Sequence, residues 1–200
     1  MGKIKPNYTK ALVVVHGKSE LIMCNYIKSN LRLKIEIRAD KKGEKSIQVN
    51  SLMNFLNRRE FKDLKNFIEK NPDIEIHGTG KNIKLKNFKL FTIMDTDDCT
   101  PGQVEAYGNK TMFQSHWVYD YIKPIYNSPN IENIMNQCGI IPITKVKNKD
   151  KTKVYLKIFP TDKSYNKTDA VQIKELAERL SKVKNTNLDE FLQYCLNCKN

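Results

Sequence analysis

"ALVVVHGKSELIMCNYIKSN", residues 11–30, contains the pattern on which the fold prediction rests. Its first five residues are apolar and include three valines, a composition typical of a buried strand. "HGKSE" interrupts this run, and a helix is then predicted from Ser19 to Asn30, with Ser19 able to cap it. A strand that passes through a short glycine-containing turn into a helix is the start of a β-α-β arrangement.

The same alternation continues through the first half of the chain. "LKIEIRA" (33–39) alternates apolar and charged residues and predicts a half-exposed strand. Residues 49–70 have a helical apolar pattern with a break near Arg59, and Pro72 ends it. "FKLFTIM" (88–94) predicts the next strand. The resulting β-α-β-α-β order indicates a mostly parallel sheet with helices packed on it.

The second half is predicted to add further elements to this core. Short helices are predicted over 101–113, 115–121 and 131–137, and "YIKPIYN" (121–127) predicts a strand. "IIPITKVK" (140–147) and "KVYLKIF" (153–159) are interpreted as a hairpin over a charged turn. Helices follow at 167–183 and 187–196, with Asn187 as the cap. We therefore expect an α/β core over 1–135 and a hairpin and helical extension over 136–200, packed on the core.

The overall charge favours a polyanionic partner. The chain has 35 Lys and Arg residues against 22 Asp and Glu residues, a net charge of +13 and a pI of about 9.4. Neutralising phosphates releases counterions, so this balance indicates DNA or RNA as a partner. The abundance of Lys, Asn and Ile leaves open that the charge is compositional.

The chain carries no apolar stretch near the roughly 20 residues of a membrane span, and its first apolar run is too short for a signal peptide. A cytoplasmic protein without a membrane partner is expected. The five cysteines form no even framework, which predicts free thiols. "CLNC" (195–198) lacks the second pair that a zinc site needs.

"FTIMDTDDCTPG" (91–102) places three acids, Asp95, Asp97 and Asp98, directly after an apolar run. In a parallel sheet this segment and "HGKSE" open at the same edge. Acids beside an apolar strand are costly unless a positive charge compensates them, and magnesium takes oxygen ligands. If the strand continues through Asp97, the side chains of Asp95 and Asp97 leave the same face. We therefore predict a Mg²⁺ or Mn²⁺ site with Glu20, Asp95, Asp97 and Asp98 as candidate ligands.

The acidic segment has two other interpretations, an acidic turn and the motif of an aspartyl phosphatase. A P-loop at "HGKS" is excluded. Turns favour aspartate, so the segment can be a solvated acidic turn. An aspartyl phosphatase would begin Asp-x-Asp-x-Thr or Val, but Cys99 occupies that last position. "HGKS" is not a nucleotide-binding P-loop, because Leu12 stands where the upstream glycine is required.

The pair of motifs resembles the Toprim domain, in which a strand ending in Glu-Gly, a helix and a later strand ending in Asp-x-Asp recur. In the RloB-like and overcoming-lysogenization-defect nuclease branches, the first motif is similar to Glu-Gly-x-Thr-Glu. "HGKSE" matches it at Gly17, Ser19 and Glu20, and "MDTDD" resembles the acidic motif. "NSPNIEN" (127–133) loosely resembles a later Asn-Pro-x-x-Glu segment, which maps its acid onto Glu132. The resemblance covers about residues 11–135.

This resemblance implies a Toprim-like, Rossmann-like fold and a metal-dependent nuclease acting in phage defence or nucleic-acid processing. The implied catalytic residues are His16, Glu20, Asp95 and Asp97, with Glu132 as a second-line candidate. A homo-oligomer or a partner protein of a defence system is also expected. His16 departs from the family, which has glutamate there; histidine is a poor magnesium ligand and favours manganese or zinc. The alternative is a catalytically degenerate module that binds nucleic acid or protein.

Basic residues near these motifs are the candidates for phosphate contacts, which position a nucleic acid without reading its sequence. They are Lys18 in the first loop, Lys145 and Lys147 in the predicted hairpin, and Lys167 before the long helix. As solvated residues they need no function. The alternation of Trp117, Tyr119 and Tyr121 favours packing over base stacking.

Overall fold

A computed structural model of the protein describes residues 8–140, 148–159 and 170–198. Four parallel strands form the main sheet, and two short strands form an antiparallel ribbon. In chain order the strands are β1 (Ala11–Val15), β2 (Ile35–Arg38), β3 (Ile76–His77), β4 (Lys84–Leu85), β5 (Lys89–Asp95) and β6 (Ile122–Asn127). The helices are α1 (Lys18–Leu31), α2 (Val49–Leu56), α3 (Leu64–Lys70), α4 (Pro101–Gly108), α5 (Ile131–Gln137), α6 (Asn148–Ile158), α7 (Ala170–Leu180) and α8 (Leu188–Asn197).

The main sheet has the order β2-β1-β5-β6, and all its neighbouring strands pair in parallel. Every residue of β1 is buried, because both faces of this central strand are covered. Val13 lies beside Ile37 of β2 and Phe91 of β5 in the register. The predicted mostly parallel sheet flanked by helices is confirmed, and the arrangement is Rossmann-like.

Two apolar cores lie on opposite faces of this sheet, as the alternation of side chains along a strand requires. Val13 and Val15 face the core built with α1, α5, α6, α7 and α8. Leu12 and Val14 face the core built with α2, α3 and α4. The residues after residue 135 that the structure describes thus pack on one face of the sheet. The division of the chain at residue 135 stays a prediction.

The predicted hairpin is wrong in its second strand. Residues 153–158 belong to helix α6, in which the buried Tyr155 lies one turn after Lys151, and the buried Phe159 follows directly after the helix. These positions are four residues apart and lie on one helical face, although the neighbouring residues also fit an alternating pattern. The first strand of that hairpin falls on residues 141–147, which lie outside the described residues, as do Lys145, Lys147 and Lys167.

The break predicted near Arg59 is confirmed, since a short 3₁₀ turn at Arg59–Phe61 separates α2 from α3. The packing interpretation of Trp117 is also confirmed. Its indole Nε1 donates to the carbonyl of Phe61 at 2.6 Å, and its ring centroid lies 4.9 Å from that of Phe67. Trp117 therefore holds the α2–α3 connection against the second core.

The outer edge of β6 is covered by the segment that enters α8. The Asn187 side chain accepts from the Tyr126 backbone N–H at 2.9 Å and donates to the Pro124 carbonyl at 3.1 Å. Thr186 donates to the Tyr126 carbonyl at 2.8 Å. Asn187 is the N-cap residue, as predicted, but its side chain makes no capping bond to α8. Its amide serves the sheet edge instead.

No helix in the described ranges is both long enough and apolar enough to cross a membrane.

The Tyr107 hydroxyl ties β5 to β6 inside the second core. It lies 2.8 Å from Thr92 Oγ1 and within 2.8 Å and 3.0 Å of the carbonyls of Thr92 and Ile125. Tyr107→Phe leaves buried polar atoms unpaired, so we expect the free energy of unfolding to fall by about 1–3 kcal/mol. Urea denaturation measures this change. Tyr119→Phe, at a side chain 37% exposed, is the matched control and should change stability by less than about 0.5 kcal/mol. An equally small effect of Tyr107→Phe would contradict the assigned bonds.

Candidate active site

The segments that follow β1 and β5 meet at the carboxyl edge of the sheet. The backbone N–H of His16 donates to the carbonyl of Ile93 at 2.8 Å, which continues the β1–β5 pairing one residue beyond β1. As a result, His16 Nε2 lies 4.0 Å from Asp95 Oδ2. The two motifs that the sequence grouped at this edge are therefore neighbours.

Glu20 is folded back over the first turn of α1. Its Oε2 accepts a hydrogen bond from the Gly17 backbone N–H at 2.9 Å, which satisfies a free donor at the helix start. The side chain is buried, with the residue only 1% exposed. Its other oxygen, Oε1, is buried and has no hydrogen-bond partner among the described residues. One carboxylate oxygen of Glu20 is therefore available to a ligand.

Asp95 is the last residue of β5 and is held by the start of α5. Its Oδ1 accepts from the Ile131 backbone N–H at 3.0 Å and from Asn127 Nδ2 at 3.4 Å. These bonds orient the carboxylate, which is buried, with Oδ2 towards His16. Sequence reasoning found Asp95 but not the two groups that hold it.

A third carboxylate, Glu132, reaches the site from the first turn of α5. Its Oε1 accepts from the Ser19 hydroxyl at 3.1 Å and pairs with Lys151 Nζ at 3.4 Å. Ser19 was predicted as a helix cap, but the cap residue of α1 is Gly17, and the Ser19 hydroxyl contacts Glu132 instead. The second-line candidate Glu132 thus lies beside the first motif.

Burial of Glu20 and Asp95 disfavours their ionised forms. Burial raises the pKa of Asp95 to about 9, and repulsion from Glu20 and Glu132 adds to the effect. Burial likewise raises the pKa of Glu20 to about 7, with repulsion from Glu132 in the same direction. Without a bound metal ion, Asp95 therefore retains its proton at neutral pH and Glu20 retains it in part.

The imidazole of His16 is neutral at neutral pH. Burial lowers its pKa below the ordinary value of 6.5, although the charges of Asp97 and Asp98 act against this shift. Its Nδ1 is buried without a hydrogen-bond partner among the described residues. A neutral imidazole can accept a proton or offer a lone pair to a metal ion.

Asp97 and Asp98 are both exposed in the turn that follows β5. The strand ends at Asp95, so the condition under which Asp95 and Asp97 would share a strand face is not met. Asp98 accepts a weak contact from the Cys99 thiol at 3.6 Å. Lys18, the first residue of α1, is exposed beside the same edge.

The side chains of this site are of the kinds that bind divalent cations, but they do not surround a common ion position. No group of three or more His, Cys, Asp or Glu side chains within the described ranges is placed to hold a metal ion. The carboxylates of Glu20, Asp95 and Glu132 are nevertheless the hard oxygen donors that Mg²⁺ and Mn²⁺ take. The unpartnered Glu20 Oε1 is the observation that favours this fit. Binding would require side-chain rotation.

A lysine-bearing loop packs on the first turn of α1. Lys41, Lys42 and Gly43 are successive residues with positive φ, at 44°, 58° and 84°. A Cβ on Gly43 would lie 3.1 Å from Lys18 Cα, so only glycine fits this approach without displacing backbone. The exposed Lys41 and Lys42 are thereby held near Lys18 at the site.

Helix α6 supplies two site residues that sequence reasoning missed. Lys151 pairs with Glu132, and Tyr155, one turn later, is buried with a hydroxyl that has no hydrogen-bond partner in the described part of the chain. Their spacing of four residues is the signal of a shared helical face. It was hidden because Tyr155 was interpreted as part of a strand and Lys151 as part of the charged turn before it.

Neither a known family model nor a curated protein nor a solved structure matches this chain. The family resemblance therefore rests on the short motifs alone.

Proposed function

We propose that the protein is a Toprim-like, divalent-metal-dependent nuclease that hydrolyses phosphodiester bonds in DNA or RNA. The observation that carries this proposal is the group of three buried carboxylates, Glu20, Asp95 and Glu132, at the carboxyl edge of a parallel sheet in a basic chain. Ligands of open α/β sheets bind at this edge. A role in phage defence or in nucleic-acid processing is part of the proposal and rests on the motif resemblance.

The unfavourable electrostatics of the site support a functional role. Burial and the charges of neighbouring acids raise the pKa of Asp95 and Glu20, and this opposes folding unless something positive binds there. Lys151 offsets only Glu132 by direct contact, at 3.4 Å. A divalent cation would favour the ionised forms of Glu20 and Asp95, and in doing so would gain binding free energy.

Positive charge around the site supports a nucleic-acid substrate. The net charge is +13, Lys18 is exposed at the start of α1, and Lys41 and Lys42 are exposed in the loop that packs on its first turn. Phosphate contacts of this kind fix the position of a nucleic acid and make binding depend on salt. Lys145, Lys147 and Lys167 are proposed to extend this surface.

The proposed chemistry assigns a task to each residue. Glu20 and Asp95 would hold the metal ion, with Glu132, Asp97 and Asp98 as further candidate ligands. The bound ion would supply charge neutralisation and a more acidic water. His16, neutral and beside Asp95, would accept a proton from the attacking water as the new oxygen–phosphorus bond forms and the bond to the leaving oxygen breaks.

A binding module without catalysis is the second candidate. One observation favours it: within the described residues, the acidic side chains do not converge on a common ion position. In that case the replacement of the family glutamate by His16 has disabled the site, and the basic fold only holds nucleic acid or a protein partner.

Metal-dependent cleavage distinguishes the two candidates. Single- and double-stranded DNA and RNA are incubated with the protein in Mg²⁺, Mn²⁺ or EDTA. We expect cleavage with Mn²⁺ and none in EDTA. Glu20→Gln, which keeps an oxygen for the Gly17 N–H, should lower the rate at least about 100-fold, because it removes one charged group from the reaction centre.

The matched control is Asp120→Asn, at an exposed acid that precedes β6 at the opposite edge of the sheet. It should leave the cleavage rate unchanged. Binding of an oligonucleotide without cleavage in any metal would overturn the nuclease proposal and favour the binding module.

A further inference from the structure

The hydroxyl of Tyr155 is a buried hydrogen-bond donor that no other described residue uses. The residue is 1% exposed, and its ring packs in the first core, with its centroid 6.1 Å from that of Phe159. Phe159 in turn packs on Tyr26 with centroids 5.4 Å apart. The ring is therefore fixed by apolar contacts, and the hydroxyl is held where it lies.

The hydroxyl lies close to the acidic site. Lys151, one turn before Tyr155 on α6, pairs with Glu132 at 3.4 Å, and burial together with the negative charges of Glu132, Glu20 and Asp95 raises the pKa of the Tyr155 hydroxyl. The Ser19 hydroxyl is a polar neighbour whose proton is donated to Glu132. Among the described residues the Tyr155 hydroxyl has no hydrogen-bond partner.

An unpaired buried hydroxyl opposes folding, because the group gives up its bonds to water and receives none in return. A phenylalanine would fill the same space in the core without that penalty. The hydroxyl is thus better explained by a ligand than by packing.

A second unpaired atom lies in the same site. Glu20 Oε1, on α1, is buried and unpartnered, and α6 packs against α1. Tyr155 offers a donor and Glu20 an acceptor or an ionic ligand. This combination suits a phosphate group and its accompanying cation, since the phosphoryl oxygens accept hydrogen bonds and the cation takes the carboxylate.

We propose that Tyr155 is a substrate-binding residue whose hydroxyl donates a hydrogen bond to a phosphoryl oxygen at the carboxylate site. This inference rests on the proposed function for its substrate class, but it assigns α6, which no motif includes, to the reaction centre. Burial raises the pKa of Tyr155, so the hydroxyl stays protonated and remains a donor at neutral and mildly alkaline pH.

Tyr155→Phe in the full chain tests the proposal by three measurements. The unfolding temperature in EDTA should be unchanged or higher, because no bond is lost. Inorganic phosphate with Mg²⁺ should raise the unfolding temperature of the wild type but not that of the variant. The cleavage rate constant, kcat, should fall about 100-fold, in the range seen for the loss of one preorganised donor.

Tyr107→Phe is the matched control, since it removes the same atom from another buried tyrosine. Its hydroxyl is fully paired and bridges β5 and β6 in the second core, on the other face of the sheet from Tyr155. This control should lower the unfolding temperature in EDTA while keeping the response to phosphate.

The outcomes separate this inference from the proposed function. A phosphate response that Tyr155→Phe loses, in a protein that cleaves no nucleic acid, supports the inference and overturns the nuclease proposal. Cleavage and phosphate responses that both persist in Tyr155→Phe overturn the inference and leave the nuclease proposal standing. A wild type with neither response, or a Tyr155→Phe variant destabilised as much as Tyr107→Phe, also overturns the inference.

Discussion

Asp95→Asn should make the protein more stable at pH 8 and at the same time abolish its hydrolytic activity. The buried carboxyl has its pKa raised to about 9, chiefly by burial, whereas it ionises near pH 4 in an unfolded chain. Asparagine removes the charge but keeps an oxygen that can accept from the Ile131 N–H and Asn127 Nδ2. The scaffold of the site should therefore remain intact.

The stability that Asp95→Asn gains over the wild type should increase as the pH rises. Below about pH 4 the carboxyl is protonated in both states, so it contributes no difference. As pH rises from 4 towards 9, the unfolded chain releases its proton more easily than the folded one, and the wild type loses stability. A tenfold difference in acid dissociation constant corresponds to about 1.4 kcal/mol, so we expect Asp95→Asn to gain at least about that amount at pH 8.

Denaturant unfolding of the wild type and Asp95→Asn at pH 4, 6 and 8 measures this effect. Mn²⁺ should raise the unfolding temperature of the wild type and leave that of Asp95→Asn nearly unchanged. The cleavage rate should drop at least about 100-fold. Asp120→Asn, at an exposed acid, should show neither effect. A variant that loses stability equally at all three pH values would contradict the buried, proton-retaining carboxyl.

Phe67→Ala should be among the most destabilising single substitutions. Phe67 is fully buried on α3 and stands at the centre of a ring cluster. Its centroid lies 4.9 Å from Trp117, 5.6 Å from Phe88 and 5.8 Å from Phe61. Truncation removes buried apolar surface and leaves a cavity that three rigid rings cannot fill, so we expect a loss of about 3–5 kcal/mol.

Thermal and denaturant unfolding measure this loss. For a chain of this size, 1 kcal/mol corresponds to about 2–4 °C, so the unfolding temperature should fall by roughly 6–20 °C. Val171→Ala is the control for loss of an apolar side chain, since Val171 is 63% exposed, and it should stay within about 0.5 kcal/mol of the wild type. A loss below about 1 kcal/mol for Phe67→Ala would show that this cluster does not support the second core.

The sheet was predictable because its signals are local and repeated. Each strand has a recognisable local pattern: β1 and β5 are apolar runs, and β2 alternates apolar and charged residues. The break at Arg59 follows from an interrupted helical pattern. The pairing of His16 with Asp95 was also within reach. It needs only the rule that parallel strands end at one edge.

The remaining parts of the site depend on contacts between segments that are distant in the chain, and the local apolar pattern of one segment does not reveal such contacts. Tyr155 was missed because its segment fits an alternating pattern as well as a helical one, and Lys151 was missed because it falls in the predicted charged turn. Only packing against α1 decides between the two patterns. The end of β5 at Asp95 is set by its bonds to α5, which the acidic run of the sequence does not display.

The side chain of Asn187 has a consequence for self-association. An uncovered outer strand presents a row of free N–H and C=O groups on which another copy can add a strand. At β6 the amide of Asn187 already occupies the N–H of Tyr126 and the carbonyl of Pro124, and Pro124 itself offers no donor. With Thr186, which pairs with Tyr126 and Asn127, this amide occupies part of the place of a fifth strand and disfavours the addition of a strand from a neighbouring molecule on this side.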